Sequence, residues 1–395
     1  MTTSPVHALQ AYAEMAVAAR RWLLRSGIRS RNGAAGGRGA VHRAIDATRG
    51  TLLPFYPEIT AYAVQFHLRW CGAAAGEDMN AARESGEWLL SIQANDASPA
   101  PGAFPYAVGQ GGGAHGGYFT FDSAIVGHAL LDLAAATGDE RYRTAAERAA
   151  RWVLRQQRAY GGFGAGGVQP VSWASDDNCL HGKLALFLGR MWQAEGVAVY
   201  RAGALALLRW LVTLQRADGG IETAHGSDYV LAHAHCYAVE GLLAGAVILG
   251  DQQYLENAAR GAAFLAGAQY ANGGVPRYVG RGALRYLKEC GARLPYVRML
   301  APHLDIGATA QAVRIWTWAQ ALRGGFARNI ERGLAWLAAS QLHTADVHLD
   351  GGFPAGIDPL KLWRRREMQF YPWVGIFAAD AVRLQTAVNV AADLY

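Results

Sequence analysis

A chain of 395 residues, 52% hydrophobic and 17% charged, is too apolar to be disordered and long enough to bury a large core. Its 37 Lys and Arg against 31 Asp and Glu give a formal charge of +6. That balance suits a glycan or small anionic ligand, but dispersed basic residues without a reading motif argue against nucleic-acid binding. Cys71, Cys179, Cys236 and Cys290 form no CxxC pair, so reduced thiols and a cytoplasmic location are expected. No apolar run reaches membrane length and no leader pattern is expected.

In chain order, His7 to Ser26 reads as an amphipathic helix ending in WLLRSG from Trp22. A Gly- and Arg-rich connection, Ile28 to Leu53, is expected to be loosely held. Phe55-Tyr56-Pro57-Glu58 then opens an apolar helix, with Pro57 in the first turn and Glu58 at the positive helix end. WLLSIQ, Trp88 to Gln93, ends the next helix. Ala94 to Gly117, with Gly111-Gly112-Gly113, is a long loop read as a lid. Asp122 to Thr137 is apolar almost throughout, and Gly138-Asp139-Glu140 breaks it. Arg141 to Gln157 is then amphipathic and carries the next copy, WVLRQQ, from Trp152. WLVTLQ (Trp210), FLAGAQ (Phe264) and WLAASQ (Trp336) follow, each leading into a glycine pair such as Gly219-Gly220 or Gly273-Gly274. Arg277 to His303 is read as an insertion with a helix at Ala283 to Cys290, and Thr344 to Tyr371 as a second long loop with Arg364-Arg365-Arg366.

A repeat running end to end fixes the architecture. Each unit is a hairpin of one inner apolar and one outer amphipathic helix. Inner helices start near Glu58, Asp122, Asp177, Asp228, Asp305 and Trp373. The N-terminal helix lacks an inner partner and the C-terminal one an outer partner, so their pairing closes a ring. The expectation is an all-α fold, one (α/α)6 toroid domain of six hairpins over residues 1–395.

Parallel inner helices gather their positive N-terminal ends at one mouth, a natural seat for anions or glycans. The acids there, Glu58, Asp122, Asp176, Asp177, Asp228 and Asp305, are each explicable as N-caps, but six exceed what capping requires. A rim of carboxylates supplies general acids and bases for sugar chemistry. Asp177 and His181 stand i, i+4, so they are expected to share a helical face. Tyr229, His233, Tyr237 and Glu240 form a polar stripe that must face a wet cavity or join a satisfied network. His235 falls on another face, as a core or a binding histidine. The catalytic candidates are therefore Asp122, Asp177, Asp176, Glu58, His181 and His233. Tyr56, Trp173, Asp228, Tyr229, His235, Tyr237, Asp305, Tyr371 and Trp373 are candidates for substrate binding, the aromatics among them by stacking on sugar faces or staying as helix-entry staples. A metal site from Asp177, Cys179, His181, His233 and Cys236 is weighed and set aside, because the Cys and His pairs two apart point different ways on a helix. No metal or cofactor is expected.

WLLSIQ with its glycine turn resembles the repeat of terpenoid cyclases and protein prenyltransferase β subunits. Tyr56-Pro57-Glu58-Ile59-Thr60, Thr120-Phe121-Asp122 and His235-Cys236-Tyr237-Ala238-Val239-Glu240-Gly241-Leu242 resemble bacterial six-hairpin proteins associated with polysaccharide biosynthesis. The second resemblance implies work on a glycan or glycoconjugate, of hydrolase, lyase or epimerase type. The first implies a class II cyclase acting on an isoprenoid substrate through Asp176; here Ala174-Ser175-Asp176-Asp177 keeps only the last two acids of the cyclase motif, and no zinc triad of the prenyltransferase kind is present. A glycan-binding scaffold without turnover is the third reading.

Overall fold

The computed structural model describes residues 5–31, 33, 37–71, 76–109, 111–166, 175–227, 229–279, 304–357 and 368–387, with side chains from residue 10 onward. Trp173, Ala174, Asp228, the helix expected at 283–290 and the arginine run at 364–366 lie outside them.

Among the described residues there are twelve α-helices. Six are outer: α1 (Pro5–Arg25), α3 (Glu77–Ile92), α5 (Glu140–Arg155), α7 (Ala198–Thr213), α9 (Gln253–Ala268) and α11 (Ala327–Ser340). Six are inner: α2 (Pro57–Trp70), α4 (Thr120–Thr137), α6 (Leu184–Glu195), α8 (Ala232–Val247), α10 (Ile306–Arg323) and α12 (Pro372–Arg383). Each inner helix packs on the next, and α12 returns to α2 and to α1, which closes the ring. The inner helices are buried on nearly every side, as in α4 from Thr120 to Leu131, whereas α5 buries only the stripe through Tyr142, Ala146, Ala149 and Trp152. The inner-to-outer turns are short: Gly138, at φ 72°, ends α4 and Asp139 caps α5 by accepting from the Arg141 amide.

The repeated glutamine has one job at five joints. The Nε2 of Gln93 donates to Gly102 O in its own turn (3.0 Å) and to Ala145 O on the next outer helix (2.9 Å). Gln157 does the same with Gly161 and Gly203, Gln215 with Gly219 and Asn257, and Gln269 with Gly273 and Asn329. Gln341 closes the ring, donating to Gly351 O (2.8 Å) and to Met15 O on α1 (3.0 Å). The turn glycines are obligatory for two reasons. Gly273 has φ 99°, and a Cβ there would stand 2.1 Å from Arg332 O. The degenerate first copy has no glutamine, so Gly39 docks on α3 instead, with its carbonyl taken by Ser85 Oγ at 2.6 Å.

Short antiparallel ladders lace the loops at the inner-helix N-termini. Ile45–Asp46 (β1) pairs with Thr51–Leu52 (β2) and with Gln369–Phe370 (β9). Pro105–Val108 (β3) pairs with Ala114–Tyr118 (β4). Val230–Leu231 (β5) pairs with Tyr278–Val279 (β6), and Leu304–Asp305 (β7) with Gly356–Ile357 (β8). Two expectations change here. The loop after Gln93 is a hairpin rather than a lid, since Val108 and Phe55 exchange two backbone hydrogen bonds of 3.0 Å. The arginine-rich connection is strapped down where described: Arg29 and Arg38 both reach Glu84, at 2.6 and 2.7 Å, and Val41 donates its amide to Thr60 Oγ1.

A candidate active site at the inner-helix N-termini

Pro57 and Thr120 start α2 and α4 so that Glu58 and Asp122 fall in their first turns, facing inward. Neither acid caps its helix; the caps of both helices make no side-chain bond. Tyr56 stands between them and donates its hydroxyl to the Asp122 carboxyl, 3.3 Å from each oxygen. Burial pushes the Glu58 carboxyl up to about 7, against the pull of the Lys183 charge and of hydrogen bonds from Tyr62 and Tyr56. Asp122, fully buried, is raised well above the carboxylate range by burial and then by the neighbouring Glu58 charge. The Glu58 charge thus disfavours ionisation of Asp122, and interacting carboxyls titrate together.

Across the ring, α8 carries His233. Its Nδ1–H donates to Gln311 Oε1 on α10 in a short hydrogen bond, which leaves Nε2 as the acceptor. Burial lowers its pKa, Asp305 and Gln311 opposing the effect, so the imidazole is neutral near pH 7. Its ring lies 4.5 Å from Tyr237 and 4.8 Å from Trp373. Trp373 lies flat over α10, where only glycine fits: a Cβ on Gly307 would come within 2.1 Å of the indole. Trp373, Tyr371, Tyr229 and His233 are part-exposed, so the α8, α10 and α12 side of the mouth is lined by ring faces.

Beneath this layer the axis is filled by an ion triad. Glu240 accepts from Lys183 Nζ at 2.8 Å and from Arg314 at 2.9 Å, all three buried. Burial opposes ionisation of Glu240, but Arg314 and Lys183 outweigh it and hold its carboxyl low. Lys183 also lies 4.9 Å from the Tyr62 ring and 4.5 Å from the Tyr237 ring, whose hydroxyls are hydrogen-bonded at 3.0 Å.

The stripe on α8 thus splits: His233 borders the mouth, Tyr237 sits below it, and Glu240 joins a satisfied network. Other candidates fall elsewhere. Asp177 is not on a helix with His181; it has φ 55°, and α6 starts only at Leu184 after a 3-10 turn over Cys179–Lys183. Its carboxylate accepts from Tyr160 at 2.5 Å, outside the ring axis. Asp176 is exposed, pairing with Arg158 at 2.9 Å and accepting the Ala165 amide, so it holds a loop rather than facing an apolar cavity. His181 is buried against Phe163 and burial takes it down to about 4. His235 is structural: Nδ1 accepts the Ile221 amide and Nε2–H donates to Gly261 O. Two candidates do stay at the mouth: Asp305, which caps α10 through the Ala308 amide at 2.8 Å and acts on His233, and Tyr229, which packs edge-on against Tyr278.

The sequence reading passed over Lys183, Arg314, Gln311, Tyr62 and Arg43. Arg43 reaches the rim and donates to Tyr106 Oη at 3.0 Å. The available signal was a lone cation in an apolar helix, as in Lys183 ahead of LALFL and Arg314 within AVRIW.

No family model matches the chain, and no curated protein matches it in sequence. Its backbone is similar to a sugar epimerase from a ruminal bacterium (TM-score 0.74, 11% identity, covering 97% of this chain and 100% of that one). It is similar to a cellobiose 2-epimerase from Bacillus thermoamylovorans (0.72, 9% identity, 93% and 98%) and to an unsaturated glucuronyl hydrolase specific for heparin (0.68, 12% identity, 95% and 96%). The protein is an α/α toroid. The toroid keeps this shape across the chain with almost no shared sequence, so the likeness carries the fold, and the chemistry has to be argued from the mouth.

Proposed function

We propose that the toroid is a carbohydrate-active enzyme that moves protons on a saccharide bound at the inner-helix N-terminal mouth. The observation that carries the reading is the Glu58–Tyr56–Asp122 proton-sharing group on α2 and α4, facing a neutral His233 on α8. An acid held protonated near pH 7 and an imidazole with a free acceptor are the two partners of general acid–base catalysis. Trp373 and Tyr371 would stack on the sugar, and Arg43 at the rim would favour an anionic one. The structures with this backbone named above are two sugar epimerases and a glucuronyl hydrolase, which agrees with a sugar substrate.

Within hydrolase, lyase and epimerase chemistry, the geometry favours transfer at a sugar carbon. A retaining glycosidase needs an ionised carboxylate nucleophile beside a separate acid, whereas here both carboxyls are driven toward the protonated form. The isoprenoid reading loses its acid, since Asp176 is paired at the surface. The test is incubation in D2O with reducing disaccharides, amino sugars and unsaturated uronides, read by NMR. Deuterium entering a carbon-bound position is the expected result. Cleavage without deuterium would move the reading to hydrolysis, and no turnover or binding across the panel would sink it.

A further inference from the structure

We propose that the toroid's axis carries a second site, at the short-turn end, that binds one small inorganic anion of halide size between Arg69, His128, Lys183, Arg314 and Trp318. The site lies on the far side of the Lys183–Glu240–Arg314 triad from the mouth, and it stands whether or not the proposed activity is correct.

A cavity of about 30 Å³ lies there, lined by these side chains together with Gln65, Phe377 and Asp380. That volume admits a monatomic ion or a pair of waters and is too small for a saccharide. What surrounds it is donors. His128 Nε2, Arg314 Nε and Trp318 Nε1 are buried, and none has a hydrogen-bond partner among the described residues. Their residues are 4%, 9% and 3% exposed. His128 Nε2 is 3.7 Å from Asp132, beyond hydrogen-bond reach. Buried donors left alone are costly, and three around one small space make a built site.

The charges point the same way. Four cationic side chains, Arg69, Lys183, Arg314 and Arg383, line the cavity with one carboxylate, Asp380; Glu240 pairs with Lys183 and Arg314 beneath it, and the nearby Asp132 lies 3.7 Å from Arg190. The lining thus carries more cationic than anionic side chains, which favours an anion there. Water fits less well, because its own hydrogens need acceptors. Asp380, which already accepts two hydrogen bonds from Arg69, is the one carboxylate in the lining, against the three unpartnered donors. His128 is neutral, burial taking it down to about 4, so it would meet the ion as its Nε2–H tautomer.

The experiment uses the unmodified protein. Crystals grown with bromide replacing chloride are read for anomalous scattering, and thermal unfolding is compared in sodium chloride and in sodium gluconate at equal ionic strength. A bromide peak in the cavity is expected, with a chloride-specific rise in Tm of about 2 °C at saturating salt. Trp318→Phe removes one donor and keeps the ring, so it should need about tenfold more chloride for the same shift. No bromide peak, or equal Tm in both salts, overturns the proposal. Should Trp318→Phe fail to fold, the two measurements on the native protein decide alone.

Discussion

Two histidines separated by one residue have opposite meanings here. His233 presents a free ring nitrogen to the mouth, while His235 spends both nitrogens on the backbone. His235→Ala would leave the Ile221 amide buried without a partner and a cavity beside Gly261, so we expect a loss of about 2 to 4 kcal/mol in urea unfolding. Any activity at permissive temperature should persist. His233→Asn should do the reverse, lowering kcat about 100-fold or more with little change in the urea midpoint. Glu58→Gln tests the acid. The Glu58 carboxyl sits at about 7 in the folded chain against 4.5 unfolded. The unfolded chain therefore gives up that proton first, and stability falls as pH rises from 4.5 toward 7. The variant's Tm should fall less over that interval than the native Tm and its turnover should be lost, while the native rate is expected to decline above about pH 7. Glu58, Asp122 and His233 were legible as a candidate set because each stands at an inner-helix start, and the structure has them there. The sequence misplaced Asp177 because nothing in Ser175-Asp176-Asp177-Asn178 reveals the left-handed turn that delays α6.

At the scale of the element, the glutamine and its glycine explain why the repeat was so plain in the sequence. The clamp needs an amide long enough to reach two carbonyls, and a residue without Cβ where helix and turn touch, so the same pair recurs at each joint. Gly273→Ala would put a methyl into Arg332 O at a positive φ, and we expect at least about 3 kcal/mol of destabilisation in chemical unfolding. Gln157→Leu should cost about 1 to 2 kcal/mol by removing the bond that ties the Gly161 carbonyl of the turn to the joint with α7. Lys183 and Arg314 were illegible for the complementary reason. Their common partner Glu240 lies on another helix, 74 residues from Arg314, and nothing in a linear chain announces a contact made through the ring's centre.

At the scale of the whole molecule, the closing joint is chemically the same as the interior ones. Gln341 takes the Met15 carbonyl just as Gln269 takes that of Asn329. Nothing in that clamp tells α1 of its own chain from α1 of another copy. The exchange is limited by Trp22 on α1, bonded to His348 O, a contact that a second copy could equally supply. The toroid should therefore trade its first helix between molecules when refolded at high concentration, giving reciprocal dimers with two complete rings. Light scattering after such refolding would reveal the dimers, and Gln341→Leu should reduce their yield together with the stability of the monomer. If only monomer is recovered at every concentration, the seam closes faster than chains can meet, and its kinetics rather than its chemistry guard the fold.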